Sequence, residues 1–144
     1  MLTVDYPPEE AGAFSAALKA AGIDPVFLLS PTTPDARIAT IAEQASGFVY
    51  YVSLKGVTGA ANLDIVEVSA RVAAIREQTN LPVGVGFGIR DATTAKATAA
   101  IADAVVVGSR MVQVIEASNE DNLLSNVAAL MTELKTAIDA AKLN

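Results

Sequence analysis

Five short stretches of this chain are almost continuously apolar: "LTVDY" (2–6), "PVFLL" (25–29), "FVYYV" (48–52), "LPVGVGF" (81–87) and "AVVVG" (104–108). Runs of this length, rich in β-branched residues and without strict alternation, predict strands buried on both faces, as in a parallel sheet. The intervening segments switch to a helical period. Ala11, Phe14, Leu18 and Ala21 form one stripe ahead of Gly22, and Ile38, Ile41 and Ala45 form a second, with Thr33 and Pro34 as its cap and Gly47 at its end. Ile65, Val68, Val72 and Ile75 form a third. Asp91 caps an alanine-rich fourth, and Leu123, Val127, Leu130, Leu134 and Ile138 mark the last and longest. The pattern is five βα units.

Strand–helix alternation with apolar strands predicts an α/β fold with right-handed crossovers, whose ligands bind beyond the carboxyl ends of the strands. No linker, charge run or low-complexity tract divides the 144 residues, so one domain spanning 1–144 is expected. No apolar run approaches the roughly 18–20 residues of a membrane span, and no basic region precedes an apolar stretch at the N-terminus. A soluble, cytoplasmic protein is expected.

Composition narrows the chemistry. The chain has no cysteine and no histidine, which excludes disulfides, thiolate catalysis, the usual zinc site and the usual neutral-pH proton shuttle. A net charge of −6 without a basic cluster argues against a nucleic-acid surface. No cofactor is expected.

The loops after the later strands carry the remaining signal. "SLKGVTGA" (53–60), "GFGIRD" (86–91) and "VGSRM" (107–111) each bear glycine, and none has an acid inside "GVTGA", "GFGI" or "GSRM". A phosphate needs converging N–H donors with no side chain in the way, and a helix that starts directly after a glycine supplies them. Ser109 would open such a helix. Any one of these glycines alone reads as a turn residue, and it is three after successive strands, with no acid among them, that favour the anion reading.

In order and separation, "VDYPPEEAGAF", "DPVFLLSPTTPDARI", "GFVYYVSLKGVTGA", "LPVGVGFGIRD" and "DAVVVGSRMVQVIE" resemble the tryptophan synthase alpha subunit, the indole-3-glycerol-phosphate lyase. The resemblance implies a partial TIM (β/α)8 barrel, its last five units, standing either as an open sheet or as a self-associated one. It implies that Gly59, Gly88, Gly108 and Ser109 surround the substrate phosphate and that Thr58 is the lid residue. Tyr50 would reach toward the substrate, and Phe87, Leu2, Leu28 and Val106 would line the indole slot; for Tyr50 and Phe87, core packing is the alternative. Asp5 matches an acid near the partner interface.

The same resemblance implies that the two acids of the lyase chemistry belong to the family's amino-terminal part, which has no counterpart here. Asp91 reads as a helix cap, and Asp24 and Asp103 fall on the amino side of strands. Two function classes follow. One is the carboxyl-terminal portion of an enzyme that cleaves indole-3-glycerol phosphate beside a beta subunit, inactive by itself. The other is a non-catalytic fragment or engineered scaffold that self-associates through open strand edges.

Overall fold

The computed structural model describes residues 1–4, 6–53, 64–86 and 88–141. Its elements alternate as expected: α1 (Gly12–Ala20), β1 (Leu28–Leu29), α2 (Asp35–Gln44), β2 (Val49–Val52), α3 (Ile65–Gln78), β3 (Val83–Gly86), α4 (Ala92–Ala99), β4 (Ala104–Val106), α5 (Ser109–Glu116) and α6 (Leu123–Ala141). The strands form one parallel sheet in the sequential order β1-β2-β3-β4. Consecutive parallel neighbours of this kind are what right-handed βα crossovers produce.

The first predicted strand is reduced to an isolated parallel bridge between Leu2 and Val26, so the described sheet has four strands instead of five. A segment at the sheet margin has a pairing partner on one side alone, and Pro7 and Pro8, which lack N–H donors, follow at once. Two strands are shorter than their apolar runs: β3 begins at Val83 although its run begins at Leu81, and β4 ends at Val106 although its run continues to Gly108.

Burial on both faces holds for β3 alone. β2 alternates between buried and half-buried positions, and β4 is exposed to half-buried throughout. The register explains this. Leu28, Tyr50, Gly84 and Ala104 stand in one row across the sheet, Leu29, Tyr51, Val85 and Val105 in the next, and Val52, Gly86 and Val106 in the third. Successive rows point to opposite faces. The middle row faces the helices, where Leu29, Tyr51 and Val85 pack with Ile38, Ile41, Val68, Val72 and Ile75 into the main core. Each such aliphatic side chain contributes roughly 1.5–3 kcal/mol by leaving water. A second cluster, Ile89, Ala95, Leu130 and Leu134, joins α4 to α6, with Val105, Val107 and Met111 packed against it.

The outer two rows face away from the helices, and there Leu28, Tyr50, Val52 and Val106 stay partly exposed. Polar ties fix the helices around the sheet. Asp103 receives its hydrogen bond from the Val83 N–H at 2.8 Å and pairs with Arg76 at 3.1 Å, joining the end of α3 to the amino ends of β3 and β4. Arg71 on α3 reaches Asp35 at 2.5 Å and also donates to the Thr33 carbonyl, which ties α3 to the start of α2. Thr33 does not cap α2 with its side chain. Its hydroxyl accepts from the Ser30 N–H at 2.9 Å, closing the turn after β1, and Pro34 occupies the cap position without a side-chain bond. Asp91 does cap α4: its carboxylate accepts from the Thr94 N–H at 2.8 Å in a capping box.

Candidate functional site

The parallel register brings the later loops to one edge of the sheet. Gly86 pairs with Val106, so β3 and β4 end at the same level, and Gly88 and Gly108 each follow two residues further along. Gly88 has φ +77°, a left-handed conformation that residues with a Cβ adopt only at a cost. Gly108 is the N-cap of α5, and its carbonyl accepts from the N–H groups of Met111 at 2.9 Å and Val112 at 3.2 Å. Those bonds aim the free N–H groups of the first turn outward, with Ser109 as the first helical residue. Gly88, Gly108 and Ser109 are all exposed, and among the described residues, chain neighbours aside, no atom stands within 4 Å of where a Cβ on Gly88 or Gly108 would be. Among the described residues, the edge at these glycines offers backbone N–H groups at the start of α5 and no side chain in the way, a setting that suits an anion.

Ser53 adds a residue that motif reading missed. Both its N–H and its Oγ donate to the Gly86 carbonyl, each at 3.0 Å. The bonds continue the β2–β3 ladder one step beyond Val52 and fix the point from which the next loop departs. A serine directly after an apolar strand was the available signal, and it was read as part of the loop.

Of the expected apolar slot, the sheet parity places Leu28, Tyr50 and Val106 on the same uncovered face, and the bridge from Leu2 to Val26, two residues from Leu28, adds Leu2 to that face. Leu2 is 41% exposed. Tyr50 crosses from β2 toward β3, its ring over Gly86, and partial burial pushes its hydroxyl above the ordinary tyrosine value. It is a neutral phenol at physiological pH, able to donate or accept a hydrogen bond. Thr58, Gly59, Phe87 and Asp5 lie outside the described residues.

The acids near this edge are committed elsewhere. Hydrogen bonds from the N–H and hydroxyl of Thr94 hold the Asp91 carboxyl below its ordinary range, so it serves the α4 cap. Asp103 sits at the opposite, amino end of the strands. Among the described residues no group of three or more acids could hold a metal ion, and no helix is long and apolar enough to cross a membrane. The geometry of the described residues offers anion recognition beside an apolar face.

Comparison with known proteins follows the same outline. Residues 1–139 match the family model described as "Tryptophan synthase alpha chain". The chain is 57% identical over 141 residues to the tryptophan synthase alpha chain of Burkholderia pseudomallei (strain K96243), covering 98% of this chain and 52% of that one. It is 55% identical to that of Burkholderia multivorans (strain ATCC 17616 / 249), with the same coverage. Among solved structures, the tryptophan synthase alpha subunit from Legionella pneumophila str. Paris superposes with a TM-score of 0.82 at 34% identity, over 96% of this chain and 51% of that one. The aminoacrylate-bound tryptophan synthase from M. tuberculosis gives 0.80 at 30% identity, over 95% and 49%. The chain thus spans about half the length of the relatives it matches.

Proposed function

The chain belongs to the tryptophan synthase alpha chain family, and from that premise we propose that it is the carboxyl-terminal portion of such a subunit, contributing the phosphate-binding side of a site that cleaves indole-3-glycerol phosphate. The observation that supports this reading is that Gly88, and Gly108 with Ser109 at the start of α5, follow the carboxyl ends of the adjacent parallel strands β3 and β4, whose last residues Gly86 and Val106 pair. On this reading, with its lid at Thr58 and Gly59, the edge holds the phosphate of the substrate. The apolar face of Leu2, Leu28 and Val106, together with Phe87, takes the indole ring. Tyr50 positions the substrate between them.

Proton transfer requires a group within hydrogen-bond reach of the proton it moves, whereas Asp91 is engaged in the α4 cap and Asp103 is held by Val83 and Arg76 at the amino ends of the strands. On this reading the catalytic acids of the whole enzyme belong, as the family resemblance implies, to the half of the relatives that this chain does not span. The intact assembly would also include the beta subunit, in a cytoplasmic setting. By itself the 144-residue chain acts as one domain that binds anions weakly, does not turn over, and self-associates.

Indole release from indole-3-glycerol phosphate tests the assignment. The isolated chain releases none, and addition of the amino-terminal half of a relative such as the Burkholderia pseudomallei alpha chain restores release. Robust release by the isolated chain would contradict it.

A further inference from the structure

We propose that the groove between α1 and α2 binds a small zwitterionic amino acid, its carboxylate held by Ser15 and Lys19 and its ammonium by Gln44 and Glu43. The groove has a volume of about 240 Å³ and is lined by Gly12, Ser15, Ala16 and Lys19 of α1 and by Glu43 and Gln44 of α2. Glu43 and Gln44 close α2 ahead of β2, so the site lies toward the amino ends of the strands, away from the glycine loops. It is independent of the phosphate reading.

Two orphaned atoms point to a ligand. Ser15 is 6% exposed, yet its Oγ has no hydrogen-bond partner among the described residues. A helical hydroxyl commonly bonds back to the carbonyl four residues earlier, as those of Thr98, Thr132 and Thr136 do at 2.7 to 2.8 Å. Ser15 does not, and its hydroxyl stays available to the groove. Gln44 Oε1 is likewise buried without a partner among the described residues. Buried polar atoms are costly to leave unpaired, so a guest that pairs both gains by doing so. The helix face also makes room for one. Gly12, Ser15, Ala16 and Lys19 recur at three- and four-residue steps, and no described atom, chain neighbours and the backbone of α1 aside, stands within 4 Å of a Cβ built on Gly12.

The polarity of the two walls selects the guest. α1 offers donors, the Ser15 hydroxyl and the Lys19 ammonium, whereas α2 offers acceptors, Gln44 Oε1 and the Glu43 carboxylate. Among the described residues no ion pair joins Lys19 to Glu43, so both charges can turn to a ligand. The last turn of α2 has no basic residue, and an ammonium placed there complements its carbonyl end. A simple anion would meet Glu43 and a simple cation would meet Lys19. A zwitterion satisfies all four groups with charge-assisted hydrogen bonds.

Titration of the isotope-labelled chain with free glycine, methylammonium chloride and sodium acetate, followed by NMR, tests the assignment. Glycine should give saturable shifts centred on the amides of Ser15, Ala16 and Gln44, and each half-molecule should bind there about tenfold more weakly or worse. Ser15→Ala should weaken glycine binding by about tenfold, the loss of one hydrogen bond to a charged group, and it should fold normally because it removes an unpaired buried hydroxyl. Gly12→Leu places a side chain in the groove and should abolish the shifts, while leucine, a better helix former, keeps α1 intact. Absence of localised shifts with glycine, equal shifts at these amides with acetate or methylammonium, or glycine binding unchanged in either variant would overturn the proposal.

Discussion

Tyr50 lays its ring over Gly86 of the neighbouring strand, so closely that a Cβ built on Gly86 would stand 2.2 Å from the phenol oxygen and 2.6 Å from ring carbon Cε2. The contact reaches diagonally, because the register partner of Tyr50 is Gly84. It explains why β3 reads Val-Gly-Val-Gly. The valines fill the helix-side core, and the glycines make room on the other face, Gly84 for Phe48 and Gly86 for Tyr50.

Gly86→Ala should therefore displace Tyr50 from its place beside the proposed substrate slot. The expected loss of stability is about 1–3 kcal/mol, the usual range for an overpacked site. Denaturant unfolding checks this, and the loss should shrink when Tyr50→Ala is combined with it, since neighbouring residues couple. Additive effects of the two changes would show that the rings and backbone are not in contact.

Gly88 and Gly108 differ in a way that stability can read. Gly88→Ala puts a Cβ at φ +77° and should cost about 1–2 kcal/mol. Gly108→Ala, at φ −103° and with no described atom, chain neighbours aside, within 4 Å of the added Cβ, should cost much less. Thermal unfolding of the two variants side by side tests the contrast, and equal losses would contradict it.

Asp103 links acidity to folding. Burial alone would raise its carboxyl, but the Val83 N–H and the Arg76 guanidinium outweigh that and hold it below the usual carboxylate range. A carboxyl lowered in the folded state adds stability above its unfolded value, about 3.9 for aspartate, and that stability is lost as pH falls through the lowered folded value. Asp103→Asn should thus be less stable than the unaltered chain at pH 7, with the gap closing toward pH 3. The side chain is 45% exposed, so the gap at pH 7 should be on the order of 1 kcal/mol or less. A gap that does not change with pH would remove the charge from the explanation.

The alternation of elements was legible because helical stripes such as Val68, Val72 and Ile75 and runs such as Val83–Gly86 carry their period locally. The Asp91 cap was legible for the same reason. Sheet margins were not. The apolar run at 2–6 looks like the other strands, yet its pairing depends on neighbours in space, and it makes one bridge. Ser53 and Gly86 read as loop residues, because their roles lie across strands. A serine that fixes a carbonyl 33 residues away, and a glycine that a tyrosine 36 residues earlier requires, leave no mark in local spacing.

The central claim is that the loops after β3 and β4 form an anion cradle of the alpha chain type, and titration of the isotope-labelled chain with inorganic phosphate tests it most directly by NMR. The account predicts saturable shifts centred on the amides of Gly88, Gly108 and Ser109, weak in affinity and abolished by Gly108→Val, whose side chain would enter the open space of the cradle. Shifts spread evenly over the surface, or shifts at those amides that survive Gly108→Val, would contradict it.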